Sequence, residues 1–304
     1  MLKTYNLIVI TGATAGSKTS LAANLAYDLK TEIISADSRQ IYKKMDIGTG
    51  KDLEDYEVKG SKIPYHLIDI CEPGYKYNVY EYKRDFFKVY NELTEKNLTP
   101  ILCGGTGLYI NAVLNNYELV KVPINEKLRI ALKDKTIEEL EQILRKYKDL
   151  HNRSDLDTIK RAVRAIEIAE YYSRNEVLGE NYPEIKPIIF GVYFDREQRR
   201  SRITERLKFR LENGMIAEAQ SLLDSGVSHD DLEYYGLEYK FLSWYLKGKI
   251  TYAELFTKLN TAIHQFSKRQ MTWFRKMEKD GAKIIWIDGN LKMEEKLSFI
   301  KSFF

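Results

Sequence analysis

Residues 12 to 19 read GATAGSKT, directly after the apolar run Leu7-Ile8-Val9-Ile10 and directly before a stretch with helical spacing. Strand, glycine-bearing turn and closing Lys-Thr follow the order of a phosphate-binding loop. In such a loop backbone N–H groups and the start of the next helix point at an anion, a lysine reaches the outer phosphate, and the Ser/Thr hydroxyl binds magnesium. Gly12, Ala13, Thr14, Ala15, Gly16, Ser17, Lys18 and Thr19 are therefore the candidate phosphate ligands, with Thr19 the candidate ligand of Mg2+. The pattern carries glycine before the lysine; here Ser17 stands there and Gly16 comes one place early. A non-glycine residue at positive φ costs on the order of 1–2 kcal/mol, which Ser17 meets unless Gly16 lets the turn adjust. Taken alone, the string also fits an ordinary strand-turn-helix connection.

Two further strings follow apolar runs: SADSRQIYKKMDIGTGK at 35–51 and CGGTGLYI at 103–110. In an open parallel sheet both emerge at the carboxyl edge beside the phosphate loop, where such folds bind ligands. Asp37 is placed there either as a proton acceptor or as a cap or solvated loop acid. Asp69, ending the HLID run, either holds a metal-bound water or caps the next segment. Basic residues gather in three places. Arg199, Arg202, Arg206 and Arg210 form one stripe at helical spacing, opposite Ile203, Leu207 and Leu211. Lys160, Arg161 and Arg164 share one side of a second helix, and Lys268, Arg269, Arg275 and Lys276 cluster near the end of the chain. Singly each fits a solvated helix face; together they suit the phosphates of a folded RNA.

The elements that must position these residues are legible in the apolar patterning. Strand-like runs recur at 5–10, 32–35, 66–70, 100–103, 188–194 and 283–287, and helical spacing such as Val79, Tyr82, Phe86, Tyr90, Leu93 lies between most of them. This alternation argues for a parallel sheet covered by helices. Residues 116–186 break the rhythm with helical patterns around 136–148 and 155–174, and read as a helical insertion between core segments 1–115 and 187–304. With no linker-like composition, the insertion is expected to pack on the core. The chain of 304 residues, 44% hydrophobic and 30% charged, reads as soluble and globular. Its N-terminal apolar run is too short for a signal peptide, and no stretch reaches the roughly 20 residues needed to span a bilayer, so a cytoplasmic protein without membrane association is expected. The two cysteines, Cys71 and Cys103, suit buried thiols, and no histidine has zinc-ligand spacing.

The DSxxIYxxMDIGTxK string at 37–51, HLID at 66–69, GGTGLY at 104–109 and KRQMTWFR at 268–275, in this order, resemble the bacterial-type tRNA dimethylallyltransferases. The resemblance implies a P-loop NTPase-like parallel sheet flanked by helices, with an all-helical insertion domain that binds tRNA. It implies that the loop grips dimethylallyl diphosphate instead of a nucleotide, and that the isoprenoid passes to the exocyclic amine of the adenosine 3′-adjacent to the anticodon. Carried over by position, Asp37 becomes the general base, with Ser38, Arg39 and Gln40 completing the stretch that touches the adenosine. Lys18, Thr19 and Arg206 attend the diphosphate and Mg2+, and Thr106 lies near the nucleotide. Lys160, Arg161, Ala162, Val163, Arg164, Lys268, Arg269, Gln270 and Arg129 become contacts to the tRNA anticodon stem-loop; a monomer is expected. The chain departs from the family at Ser17, at Asp157-Thr158, at Ile166 and at Ile263-His264, where Thr-Arg is usual. Aromatics such as Tyr42, Tyr109, Trp273 and Phe274 either stack on bases or pack. Two other readings compete: an ATP-binding P-loop small-molecule kinase using the arginine stripe as a lid, which leaves the insertion and KRQMTWFR unexplained, and an RNA-binding ATPase without group transfer, which should carry a stronger nucleotide loop.

Overall fold

The computed structural model describes residues 4–115, 117, 119–149, 154–175 and 181–304. The chain forms two compact units, Met1–Tyr117 with Pro183–Phe304, and Glu118–Tyr182. The first unit begins β1 (Leu7–Gly12), α1 (Lys18–Leu29), β2 (Ile33–Ser35), a 3-10 turn at Leu53–Tyr56, β3 (Glu57–Val58), β4 (Ser61–Lys62), β5 (Tyr65–His66), α2 (Val79–Glu95), β6 (Ile101–Gly104) and α3 (Gly107–Leu114). The second unit contributes α4 (Glu126–Leu132), α5 (Ile137–Leu144) and α6 (Ile159–Arg174). The chain then returns with β7 (Pro187–Tyr193), α7 (Arg196–Glu212), α8 (Met215–Asp224), α9 (His229–Tyr234), α10 (Leu237–Leu246), α11 (Tyr252–Lys279), β8 (Ile284–Asp288) and α12 (Met293–Lys301).

Six strands build one parallel sheet in the order β5-β2-β6-β1-β7-β8. Every residue of β1 is buried, as a strand with both faces covered requires. Its register sets Thr11 beside Gly104 of β6 and beside Gly191 of β7, so the loops after β1 and β6 leave the sheet side by side. Ile8, Ile10, Ile33, Ile101, Ile188 and Phe190 join Leu21 and Leu25 of α1 in one core.

Each strand-like run contains an observed strand, but the run at 66–70 does not continue as one. Only Tyr65 and His66 pair with β2, because Leu67 (φ 60) and Asp69 (φ 55) turn left-handed and leave the ladder. The amides of Asp69 and Ile70 donate instead to the carbonyls of Gln40 (3.1 Å) and Ile41 (2.9 Å), which moors this bend to the segment after β2. The β3–β4 hairpin was not foreseen; with two residues per strand it has no period to read. Cys103 is buried as expected, whereas Cys71 is partly exposed.

Helix ends carry ordinary physical signals. Asn78 and Glu81 form a capping box at the start of α2, as do Thr251 and Glu254 at the start of the 28-residue α11. Leu255, Leu259, Ile263, Ser267, Gln270, Phe274 and Met277 mark the buried stripe of α11. In the second unit the core is Leu132, Leu140, Leu144, Leu156, Ala162, Ala165 and Ile166, and α4 adds a helix the patterning did not announce. Among the described residues no helix is long and apolar enough to cross a membrane.

Candidate active site at the carboxyl edge of the sheet

The phosphate-loop string leaves β1 at Gly12, whose φ of 144 and whose distance of 2.6 Å from a built Cβ to the Val192 carbonyl oxygen admit glycine only. Beyond it, Ala15 (φ 60) and Ser17 (φ 51) are left-handed and Gly16 is not. Gly16 therefore does not absorb the irregularity: two side-chain-bearing residues hold the strained positions, at roughly 1–2 kcal/mol each. Helix α1 starts at Lys18 with Ser17 at its N-cap, yet the serine hydroxyl makes no cap bond. That hydroxyl accepts from Arg202 Nη2 at 2.8 Å, and Arg202 Nε donates to the Ala15 carbonyl at 2.9 Å. Arg206 donates to the Thr14 hydroxyl. Lys18 folds back on its own loop, donating from Nζ to the Ala13 carbonyl at 2.9 Å.

Lys18 and Arg206 are half-buried in the cleft wall. Desolvation brings Lys18 down to about 8, with nearby Arg206 pushing the same way. Desolvation, with Arg210 beside it, brings Arg206 down to about 10. Glu238, at the start of α10, faces Arg206, Arg210 and Arg39, and desolvation nevertheless holds its carboxyl above the usual range. A bound anion would relieve the crowding among the cations.

The loop opens into a cleft of about 940 Å³ that also exposes Asp37 to Gln40, Gly104 to Leu108, Arg269, Gln270 and Trp273. Asp37 sits in the turn after β2, its Oδ1 accepting the Arg39 amide at 2.8 Å. The Ser38 amide donates to the Thr106 hydroxyl at 3.0 Å, and the Thr106 amide to the Ala36 carbonyl at 3.1 Å, so the loops after β2 and β6 are tied together. Gly104 makes this possible, since a built Cβ there falls 2.3 Å from the Ala36 carbonyl oxygen. Tyr42, Tyr109 and Phe274 are buried and pack, Tyr109 stacking on Tyr82 at 3.9 Å; Trp273 lines the cleft.

A family model described as IPP transferase matches residues 40–277. The chain belongs to the IPP transferase family. It is 58% identical over 297 residues to tRNA dimethylallyltransferase 2 of Bacteroides fragilis, covering 98% of this chain and 97% of that one. It is 57% identical over 297 residues to tRNA dimethylallyltransferase 1 of Parabacteroides distasonis, again covering 98% and 97%. Among solved structures it is similar to the full-length tRNA isopentenylpyrophosphate transferase of Bacillus halodurans, with TM-score 0.71 and 30% identity over 98% of this chain and 94% of that one. A eukaryotic dimethylallyltransferase shares the fold, with TM-score 0.75 at 20% identity, covering 93% of this chain and 73% of that one.

Within this IPP transferase fold several residues near the cleft also brace the protein internally. Gln270 accepts the Thr14 amide at 2.9 Å and donates to the Gly105 carbonyl at 2.9 Å. Both ends of its amide join two cleft loops, and the same residue lines the cleft. Asp69 lies outside the cleft wall and pairs at 2.5 Å with Lys51, whose side chain is 0% exposed and also reaches Asp46 at 2.6 Å and the Tyr42 carbonyl at 2.8 Å. The metal-water alternative for Asp69 gives way to a structural ion pair. Glu218, which nothing in the motif strings marked, accepts the amides of Asp46, Ile47 and Gly48 at 2.9, 2.7 and 2.9 Å. Arg210 is buried against Asp52, and His264 pairs with Thr204 at 3.3 Å. Of the arginine stripe, Arg202, Arg206 and Arg210 reach the cleft wall, while Arg199 faces Arg196 and Arg275. Lys268 and Arg269 are exposed on α11.

In the helical unit Glu167, 1% exposed at its side chain, gathers Arg129 at 3.1 Å, Arg164 and the Asn125 amide at 2.6 Å. Burial works against its charge, but Arg129, the Asn125 amide and Arg164 outweigh it and hold the carboxyl below the usual range. Arg164 also donates to the Val122 carbonyl at 2.9 Å. Lys160 and Arg161 are exposed, Arg161 beside Asp157 at 2.7 Å. Ala162 is fully buried in the unit's core and Val163 packs against it. Ala162 therefore has no side-chain surface to offer a tRNA, and Val163 offers part of its own.

Proposed function

We propose that the chain transfers the dimethylallyl group from dimethylallyl diphosphate to the exocyclic amine of the adenosine 3′-adjacent to the anticodon in tRNA. The observation that carries this reading is the meeting, in one cleft, of an anion-receptive loop with the Asp37 carboxylate, in a chain whose relatives are named tRNA dimethylallyltransferases. An allylic diphosphate leaves as a multiply charged anion while positive charge develops on the allyl carbon. Lys18, Arg206 and the loop amides face the leaving oxygens and stabilise that charge. The adenine amine attacks the allylic carbon as the carbon–oxygen bond breaks, the diphosphate departs with the bonding pair, and the amine proton passes to Asp37. A positioned carboxylate is effective here because the adenine lone pair is delocalised and the amine becomes acidic only as the new bond forms.

Thr19 lines the same cleft as Asp37, and its hydroxyl is of the kind that holds Mg2+ together with substrate phosphate oxygens and water. When bound there, Mg2+ neutralises charge on the diphosphate. Exposed Lys268 and Arg269 in the catalytic unit, and Lys160 and Arg161 in the helical unit, supply phosphate contacts that offset the few kcal/mol needed to extrude a base from its stack. The test is one incubation of the purified protein with Mg2+, total tRNA and either labelled dimethylallyl diphosphate or γ-labelled ATP. Label passing from the isoprenoid to tRNA is expected; transfer from ATP to a small molecule, or ATP hydrolysis without group transfer, would replace this reading.

A further inference from the structure

Arg202 grips the phosphate loop at two points, the Ala15 carbonyl (2.9 Å) and the Ser17 hydroxyl (2.8 Å). These are its two non-glycine left-handed residues. The guanidinium is itself seated, 4.4 Å from the centroid of the Phe194 ring. The Ser17 hydroxyl does not cap α1, so its bond to Arg202 is not required to finish the helix. Phosphate loops ordinarily carry glycine at this position, where backbone freedom alone reaches positive φ. A serine without an outside partner would tend to relax out of that conformation and turn its amide away from the anion.

We propose that Arg202 is a positioning residue that latches the phosphate loop in its anion-receptive shape through the Ser17 hydroxyl, so that a side-chain bond here replaces the conformational freedom of glycine. The inference rests on the reading above that the loop receives a diphosphate. It assigns Ser17 a purpose of its own: the hydroxyl is the acceptor the latch needs. It also requires arginine rather than lysine at 202, since a single ammonium cannot span both acceptors with the planar fork of a guanidinium.

The test is a double-mutant cycle of Arg202→Gln and Ser17→Ala, read in two ways. Amide hydrogen exchange at residues 13–19 is followed without ligand, and the affinity for inorganic pyrophosphate with Mg2+ is measured by calorimetry, alongside KM and kcat for dimethylallyl diphosphate. Each single change should speed exchange in the loop and weaken pyrophosphate binding by about five- to tenfold, the scale of one charge-assisted hydrogen bond. KM should rise with kcat nearly unchanged, and Ser17→Ala should add nothing once Arg202 is gone. Arg202→Lys keeps the charge and should match Arg202→Gln in the exchange measurement. Ser17→Gly regains backbone freedom but loses the acceptor, and should fall between the wild type and Ser17→Ala. Additive effects, or unchanged loop exchange in both Arg202 variants, would overturn the latch. A fall in kcat with unchanged KM would also overturn it, by placing Arg202 on the leaving group. A wild-type protein that binds no diphosphate would sink the functional reading, while the exchange experiment still decides the latch.

Discussion

Two glycine-bearing loops border the same cleft, and each ends in a lysine with a different fate. In the segment Asp46 to Lys51, Glu218 takes three successive amides, and the lysine ends among one carbonyl and two carboxylate oxygens. In the segment Gly12 to Lys18, the lysine has one carbonyl of its own loop, and desolvation has brought it down to about 8. The first loop is internally complete and the second is not. A cation whose partners are all supplied by the protein is scaffolding, whereas one half-buried in the cleft wall with a single neutral acceptor among the described residues keeps donors to spare, as the proposed binding of an anion requires. The same contrast divides Arg210, closed on Asp52, from Arg206, which reaches only the Thr14 hydroxyl among the described residues.

The sharpest way to break this contrast is on the incomplete side of the cleft. Asp37→Asn should lower single-turnover prenyl transfer by about 100- to 10,000-fold, as loss of a general base does, with tRNA affinity within a few-fold; an unchanged rate removes Asp37 from the chemistry. Lys18→Ala should lower kcat/KM for dimethylallyl diphosphate by about 100-fold or more while leaving the denaturant midpoint unchanged or slightly higher, because a desolvated ammonium has been removed. On the complete side, Lys51→Met should show the reverse. Stability should fall by about 1 kcal/mol or more as the buried Tyr42 carbonyl loses its donor, the half-exposed Asp46 and Asp69 carboxylates turning to water, and the residual folded enzyme should keep its KM.

The pH dependence tests the same point with a smaller effect. On the proposed function diphosphate binds the protonated ammonium, so with Lys18 lowered to about 8 from 10.5, affinity should be full below that pH and decline above it. The decline should approach tenfold per unit in calorimetric titrations between about pH 8 and pH 9.5. Lys18→Arg should flatten the profile. The smallest effect belongs to a single surface phosphate contact. Lys160→Ala should weaken tRNA binding about equally across tRNA sequences and reduce the salt slope by about one.

The sheet was readable because each of its strands is a local apolar run, and the cleft loops were readable as strings because each is contiguous. What closes those loops was not readable. Gln270 reaches Thr14, Arg202 reaches Ser17 and Glu218 reaches Asp46 across gaps of 256, 185 and 172 residues, and no spacing rule links such positions. The early end of β5 was hidden for another reason, since the first residue to turn left-handed is Leu67, a type that seldom does so and that continues the apolar run, although Asp69 is a type that tolerates this conformation. Ala162 is different. Its spacing to Ala165, Ile166 and Ala169 already marks the core side of α6, and carrying 160–164 across as a block overrides a periodicity the sequence displays.

The position of β1 in the sheet has a consequence for how the protein comes into being. The phosphate loop precedes in the chain the groups that complete it: β1 pairs with β7, and the side chains that shape the loop, Arg202, Arg206 and Gln270, all follow residue 187. Until those residues emerge, the nascent chain carries the whole GATAGSKT string without the groups that give it form. Anion binding should therefore emerge late and abruptly, once α11 has left the exit tunnel, and a fragment released at Tyr117 should hold every letter of the motif and none of its affinity.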